Sequence, residues 1–363
     1  MTATRATTLI SLACLLGLPL SAQPADTSPN ERFREIRTIT TKDGIEQHEL
    51  VTIGGVKQWI SIRARHQDAP ILLVLHGGPG FTLSPVSYYY MRDWEEFFTV
   101  VQWDQRASGK SYRPEDEQAL APTLTIERMV LDTEEMIEFL RKRFKRDRVV
   151  LLAHSFGTIV GVKLAERRPD LLHAYVGMGQ FVDFTRGETL GYQATLAAAR
   201  ADDNAEAIAQ LESLAPFPDP DRPHRNLENL PTERRWLAQY GGYYRAGGVG
   251  HHDTVAGMSP THDAADLTAR QRGHNFIVET MWPSLQALHL NETTRFQVPI
   301  IILQGRHDLG TPSALVDEWH ASIEAPHKKL VWFEDSSHMV YEEESGKVLV
   351  TLVNEVLPLV KGR

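Results

Sequence analysis

Val149-Val150-Leu151-Leu152-Ala153-His154-Ser155-Phe156-Gly157 is the stretch on which the fold turns. Its apolar run is continuous rather than alternating, as in a strand buried on both faces. It then breaks into small-x-Ser-x-Gly and passes into a helical pattern. A serine on such a strand-to-helix turn is held out where a second molecule can reach it, and the small residues Ala153 and Gly157 let the crowded backbones approach. The N–H groups of the following helix face negative charge that forms on a substrate. Ser155 is therefore a candidate nucleophile. Taken alone the pattern also fits an ordinary tight turn, and Ala153 stands where glycine is usual.

Three further segments lie in a workable chain order. Ile71-Leu72-Leu73-Val74-Leu75 runs into His76-Gly77-Gly78-Pro79-Gly80, a glycine-rich loop at the end of a buried strand. The N–H groups of Gly78 and Phe156 are the expected pair to bind an oxyanion. Val298-Pro299-Ile300-Ile301-Ile302-Leu303 leads to Gln304-Gly305-Arg306-His307-Asp308, and Lys329-Leu330-Val331-Trp332-Phe333 leads to Asp335-Ser336-Ser337-His338. In that order Ser155, Asp308 and His338 form a possible triad. His338 takes the serine proton and returns it to the leaving group, while Asp308 fixes the imidazole tautomer.

With these motifs together, the chain resembles the prolyl iminopeptidase branch of the α/β-hydrolases from about Ile36 onward. The His76-Gly77-Gly78-Pro79-Gly80 and Asp104-Gln105-Arg106-Ala107-Ser108-Gly109 motifs are its most specific part. The resemblance implies a serine hydrolase that removes N-terminal residues from small peptides. It also implies that Asp104 and Arg106 shape a loop rather than react, with Ala107 in the place of a usual glycine. Family members hold the substrate amine with glutamates from a cap. The corresponding stretches here are Ala269-Arg270-Gln271-Arg272-Gly273-His274-Asn275-Phe276 and Trp236-Leu237-Ala238-Gln239-Tyr240-Gly241, which put Arg272 and Tyr240 where the glutamates would be. Arg272, Tyr240, Trp236 and His274 are thus candidate substrate-binding residues. A cation at Arg272 would repel an ammonium group if it faces the site, and would make only rim contacts if it faces solvent. Ester or amide hydrolysis of small molecules is the alternative activity. A binding protein on a hydrolase scaffold is the alternative from another class.

The 363 residues suffice for one large α/β domain with an insertion. Strand-like runs alternate with helical stretches from residue 71, and this predicts a doubly wound, mainly parallel sheet. Gly54-Gly55 between two strand-like runs reads as a hairpin turn. The alternation stops over residues 181–296, a stretch rich in alanine, aromatics and charge with a proline-rich joint over residues 216–231, which reads as a mostly helical cap. The expected organisation is a signal peptide over residues 1–22, a polar linker over 23–35, hydrolase core over 36–180, cap over 181–296 and core again over 297–363. Arg5, the apolar run over residues 9–20 and Leu20-Ser21-Ala22 are the marks of an exported protein, and the apolar run is too short to span a membrane. The sole cysteine, Cys14, falls in that segment. Its removal would leave no thiol, whereas a lipoprotein reading would make it the lipidated residue.

A net charge of −9 leaves no basic face for nucleic acid. The run Arg141-Lys142-Arg143-Phe144-Lys145-Arg146 closes a helical segment, where cations favour the dipole. His251-His252-Asp253 and His262-Asp263 lack metal-ligand spacing. No metal or cofactor is expected, and the expected partner is a small-molecule or short-peptide substrate. Nothing in the sequence speaks to oligomeric state.

Overall fold

The computed structural model describes residues 27–361; the signal-like segment and Cys14 lie outside the described residues. Eight strands, β1 (Ile45–Ile53), β2 (Val56–Ala64), β3 (Ile71–Leu75), β4 (Thr99–Asp104), β5 (Val149–His154), β6 (Leu172–Met178), β7 (Ile300–Gly305) and β8 (Lys328–Phe333), form one sheet in the order β1-β2-β4-β3-β5-β6-β7-β8. β1 pairs antiparallel with β2, and β2 with β4; every later pairing is parallel. Gly54 and Gly55, both at positive φ, make the β1–β2 turn.

The unbroken apolar runs follow from burial on both faces. In β3, Ile71, Leu73 and Leu75 join a core with Leu151 of β5. Leu72 and Val74 point the other way and pack with Val150, Leu152, Val348 and Leu352. The helix α1 (Pro29–Ile36) lies at the start of the described chain; the longer helices α2 (Ile126–Phe144) and α3 (Gly157–Arg167) come later, after short helical turns. α2 is started by Thr125, whose side chain accepts from the Arg128 N–H, and buries Met129, Met136, Ile137 and Leu140. Its basic last turn is ion-paired, Arg141 with Glu138 and Arg143 with Glu49.

Two segments differ from the sequence reading. The expected linker over 23–35 carries α1, where Ser28 and Glu31 form a reciprocal capping box. Pro29 starts this helix rather than breaking it, since the first helical N–H needs no partner. α1 is docked: Asn30 donates to the Ser259 carbonyl (2.8 Å), and Phe33 packs edge-on against Tyr88 at 4.9 Å. The expected proline-rich joint is also shorter, because a helix begins at Pro223 and continues through Pro231.

Five helices lie between β6 and β7: α4 (Phe184–Ala201), α5 (Ala205–Leu214), α6 (Pro223–Gln239), α7 (His252–Gly257) and α8 (Ala264–Leu285). Tyr192, Ala199, Leu211, Leu214, Phe217 and Trp236 give α4, α5 and α6 a small core of their own. Beneath them β6 and β7 pair directly, Tyr175 opposite Ile300, so the sheet is uninterrupted.

Candidate active site

Ser155 follows β5 with φ +54°, the left-handed region that costs a side-chain-bearing residue about 1–2 kcal/mol. The turn is fixed by the Ser155 N–H donating to the Met178 carbonyl (2.9 Å) and the Thr158 N–H donating to the Ser155 carbonyl (2.9 Å). α3 begins at Gly157, jammed against the preceding strand end: a Cβ there would lie 2.6 Å from the His76 carbonyl oxygen and 2.9 Å from that of Leu75.

Asp308 follows β7 and His338 follows β8, and the sheet brings their loops to the same rim as Ser155. Asp308 is buried. Its Oδ2 lies 2.8 Å from His338 Nδ1 and also accepts from Gln304 Nε2 (2.9 Å) and Thr311 Oγ1 (2.8 Å), while Oδ1 accepts from the Thr311 N–H (2.8 Å). With four donors around it the carboxylate has little freedom, and the His338 ring is aimed accordingly. Ser155 and His338 line one cavity of about 350 Å³, together with Gly78, Phe156 and His274. His274, on α8, has its Nδ1 2.6 Å from the Pro79 carbonyl oxygen. Burial pushes its imidazole below the ordinary range, against the hydrogen bond to Pro79. The His76 ring is pinned in the same loop: its Nε2 accepts from the Gln105 N–H (3.2 Å), and burial lowers it to about 4.

Three expected substrate contacts lie elsewhere. Arg272 is exposed on α8. Two residues along a helix is a rotation of about 200°, so with His274 facing the cavity Arg272 faces away. Trp236 and Tyr240 stack on each other with centroids 6.2 Å apart, and Trp236 Nε1 donates to Gln210 Oε1 (3.1 Å). Trp236 belongs to the core shared by α4, α5 and α6, and the Tyr240 hydroxyl reaches Asp202 (3.3 Å). The loop motif is also accounted for by contacts. Asp104 accepts from Ser84 Oγ (2.6 Å) and the Lys110 N–H (2.8 Å), Arg106 pairs with buried Asp132 (2.9 Å), and Ala107 has φ +59°, which is why glycine suits that position.

The sequence reading overlooked an ionic wall. Glu188 of α4 and Arg234 of α6 both line the cavity, with Arg234 Nη2 donating to Glu188 Oε1 (2.5 Å). Glu233, fully buried, pairs with Arg234 through its Oε2. Glu188 Oε2 and Glu233 Oε1 are buried without a hydrogen-bond partner. Burial pushes Glu233 up to about 7, against the pull of Arg234 and with added repulsion from Glu188. Aliphatic and aromatic groups, Phe184, Leu230, Val278 and Trp282 among them, complete the cavity.

The chain is 28% identical over 329 residues to a probable aminopeptidase of Bacillus subtilis, YbaC, covering 86% of this chain and 97% of the relative. It is 25% identical over 285 residues to a probable proline iminopeptidase of Leptolyngbya boryana, covering 75% and 82%. The fold superposes on a proline iminopeptidase-related protein of Thermus thermophilus with a TM-score of 0.62 and 22% identity, over 87% of this chain and 99% of the other. The profile of the alpha/beta hydrolase fold family matches residues 70–345, which include the glycine loop, the Ser155 turn, the helical insert and both strand ends that carry Asp308 and His338. This chain therefore belongs to the α/β-hydrolase fold family.

Proposed function

We propose that the protein is an exported serine hydrolase that removes N-terminal residues from short peptides through an acyl-enzyme. Ser155 Oγ attacks the carbonyl carbon while His338 Nε2 takes its proton, with Asp308 steadying the imidazolium. The oxyanion is received by the N–H groups of Gly78 and Phe156. His338 then gives its proton to the leaving nitrogen as the C–N bond breaks. Water, deprotonated by the same imidazole, releases the acyl group. Export rests on the signal-like residues 1–22.

The observation that carries the peptidase reading is the half-buried Glu188 side chain in the cavity lining, whose Oε2 is buried and unpartnered. An unsatisfied buried acceptor costs about 1–3 kcal/mol, and a substrate α-ammonium group would relieve it with a charge-assisted hydrogen bond. Arg234 already occupies the other oxygen and fixes its direction. The acid comes from α4 instead of the segment around Arg272, so the family's chemistry is retained from a different helix.

The test is paired. Wild-type enzyme should hydrolyse prolyl or alanyl amides with a free amine at least about tenfold more efficiently than the N-acetylated forms, and Glu188→Gln should erase most of that preference by raising KM. An enzyme that prefers N-acetylated amides or simple esters is instead a carboxylesterase or amidase. If a fluorophosphonate leaves no label on Ser155, catalysis through this serine is refuted.

A further inference from the structure

A second cavity, of about 280 Å³, also reaches Ser155. It shares Gly78, Ser155, Tyr243, His274 and His338 with the first, so the two meet at the serine and the imidazole. Their linings differ. The first cavity holds the Glu188–Arg234 pair, whereas the second is walled by Phe81, Leu83, Tyr244, Met339 and Tyr341, with Val249 at its mouth.

Asp253, exposed, is the one acidic residue among the described residues that line the second cavity, while Arg270, His252 and Glu342 beside it bond to one another. Arg270 can only donate, and its Nη2 lies 2.6 Å from His252 Nε2. That nitrogen therefore accepts, and His252 Nδ1–H donates to Glu342 Oε1 at 2.5 Å. The guanidinium lies over the Phe81 ring with its carbon 3.5 Å from the centroid, the His252 ring stacks at 5.4 Å, and His274 meets the edge at 5.5 Å. Held by three neighbours, Phe81 is a fixed aromatic wall rather than a mobile one. Val249 is 67% exposed on a turn between Gly248 and Gly250, an apolar side chain left in water beside an apolar opening.

We propose that this second cavity is the leaving-group site, and that it selects leaving residues with an apolar side chain of aromatic size. The proposal rests on the peptidase reading for the assignment of the first cavity: if the substrate amine sits against Glu188, the acyl residue fills that side and the departing residue must fill the other. In acylation the Ser155 Oγ–C bond forms and the C–N bond breaks. The serine proton passes through His338 Nε2 to the departing nitrogen, which leaves as a neutral amine into the second cavity. His338 lines both cavities, so it can deliver that proton on this side.

The test uses kcat/KM, which reports acylation even where deacylation limits turnover. Alanyl-phenylalaninamide is compared with alanyl-glycinamide, and alanine benzyl ester with alanine methyl ester, whose alkoxides are of similar basicity. The expected result is a preference of about tenfold or more for the aromatic member of each pair. Val249→Asp, on an exposed turn where folding is not at stake, should cut both ratios severalfold. Ratios near one in the wild-type enzyme, or a Val249→Asp variant that changes the preference among acyl residues and leaves the leaving-group ratios alone, would overturn the proposal. The peptidase reading fails separately, if N-acetylation improves every substrate. The benzyl-to-methyl ratio measured on N-acetylalanine esters still tests the second cavity in that event.

Discussion

Ser155 is held in a left-handed conformation that is disfavoured in a free peptide, with its N–H bonded to the Met178 carbonyl of β6 and its C=O to the Thr158 N–H. Because the strain belongs to the backbone, Ser155→Ala should keep the fold. Turnover should drop by about 10⁴-fold or more, with the remaining activity due to the oxyanion donors. Circular dichroism with steady-state rates checks both halves, and activity within tenfold of wild type would remove Ser155 from the mechanism. The strand ends that precede Ser155, Asp308 and His338 were legible because each closes an apolar run, which is a local property of sequence; Ser155 follows its strand directly, and Asp308 and His338 lie in the loops just beyond theirs. Arg272, Tyr240 and Trp236 were misread for a reason of the same scale. Which face of a helix meets a cavity is decided by docking, and Arg272 and His274 differ by half a turn. Glu188 escaped notice because its partner Arg234 is 46 residues away and neither residue falls within a motif.

Elements position these residues through close contacts at their ends. Gly157→Ala should damage the enzyme more than its single added methyl implies, since the new carbon would overlap two backbone oxygens at the end of β3 and in the loop after it. The collision can be relieved only by moving α3 or the glycine loop, which shifts the Phe156 and Gly78 N–H groups together. We expect a loss of kcat of about 10²-fold with KM little changed. A variant with wild-type kcat would show that the helix start has slack. Ala153 is accommodated by a glycine on the facing helix. Gly161, one turn into α3, faces that methyl, and a Cβ at 161 would lie 3.1 Å from the Ala153 Cβ. α1 was harder to read: a short, mostly polar segment opened by a proline resembles a linker, and its stability comes from docking through Asn30 and Phe33 onto residues far along the chain.

Across the whole molecule, burial sets the response to acid. His76, His154, His262, His274 and His48 are all pushed below the ordinary imidazole range, first by desolvation. The unfolded chain then binds more protons than the folded one between about pH 6.5 and the lowered folded values, so their contribution to stability is present above that range and lost as pH falls through it. Burial raises Asp104 to about 6 and Glu233 to about 7, and these two act in the opposite sense, losing stability as pH rises toward those values. His320 is lowered and Glu343 raised by burial as well, so with six imidazoles against three carboxyls among the described residues the thermal midpoint should fall steadily from about pH 7 to about pH 4.5. A midpoint that rises on acidification would mean the buried acids dominate. The mainly parallel sheet and the helical excursion were legible from the switch in periodicity, while the strand order and the inner faces of the five helices were not. Because β6 and β7 are already paired beneath that excursion, it leaves the sheet and returns to it at neighbouring strands. Mutations that reshape residues 181–296 can thus accumulate without breaking a rung of the ladder. Selection on what the enzyme accepts is uncoupled from selection on how it reacts, and a lineage built this way can change diet while inheriting its chemistry intact.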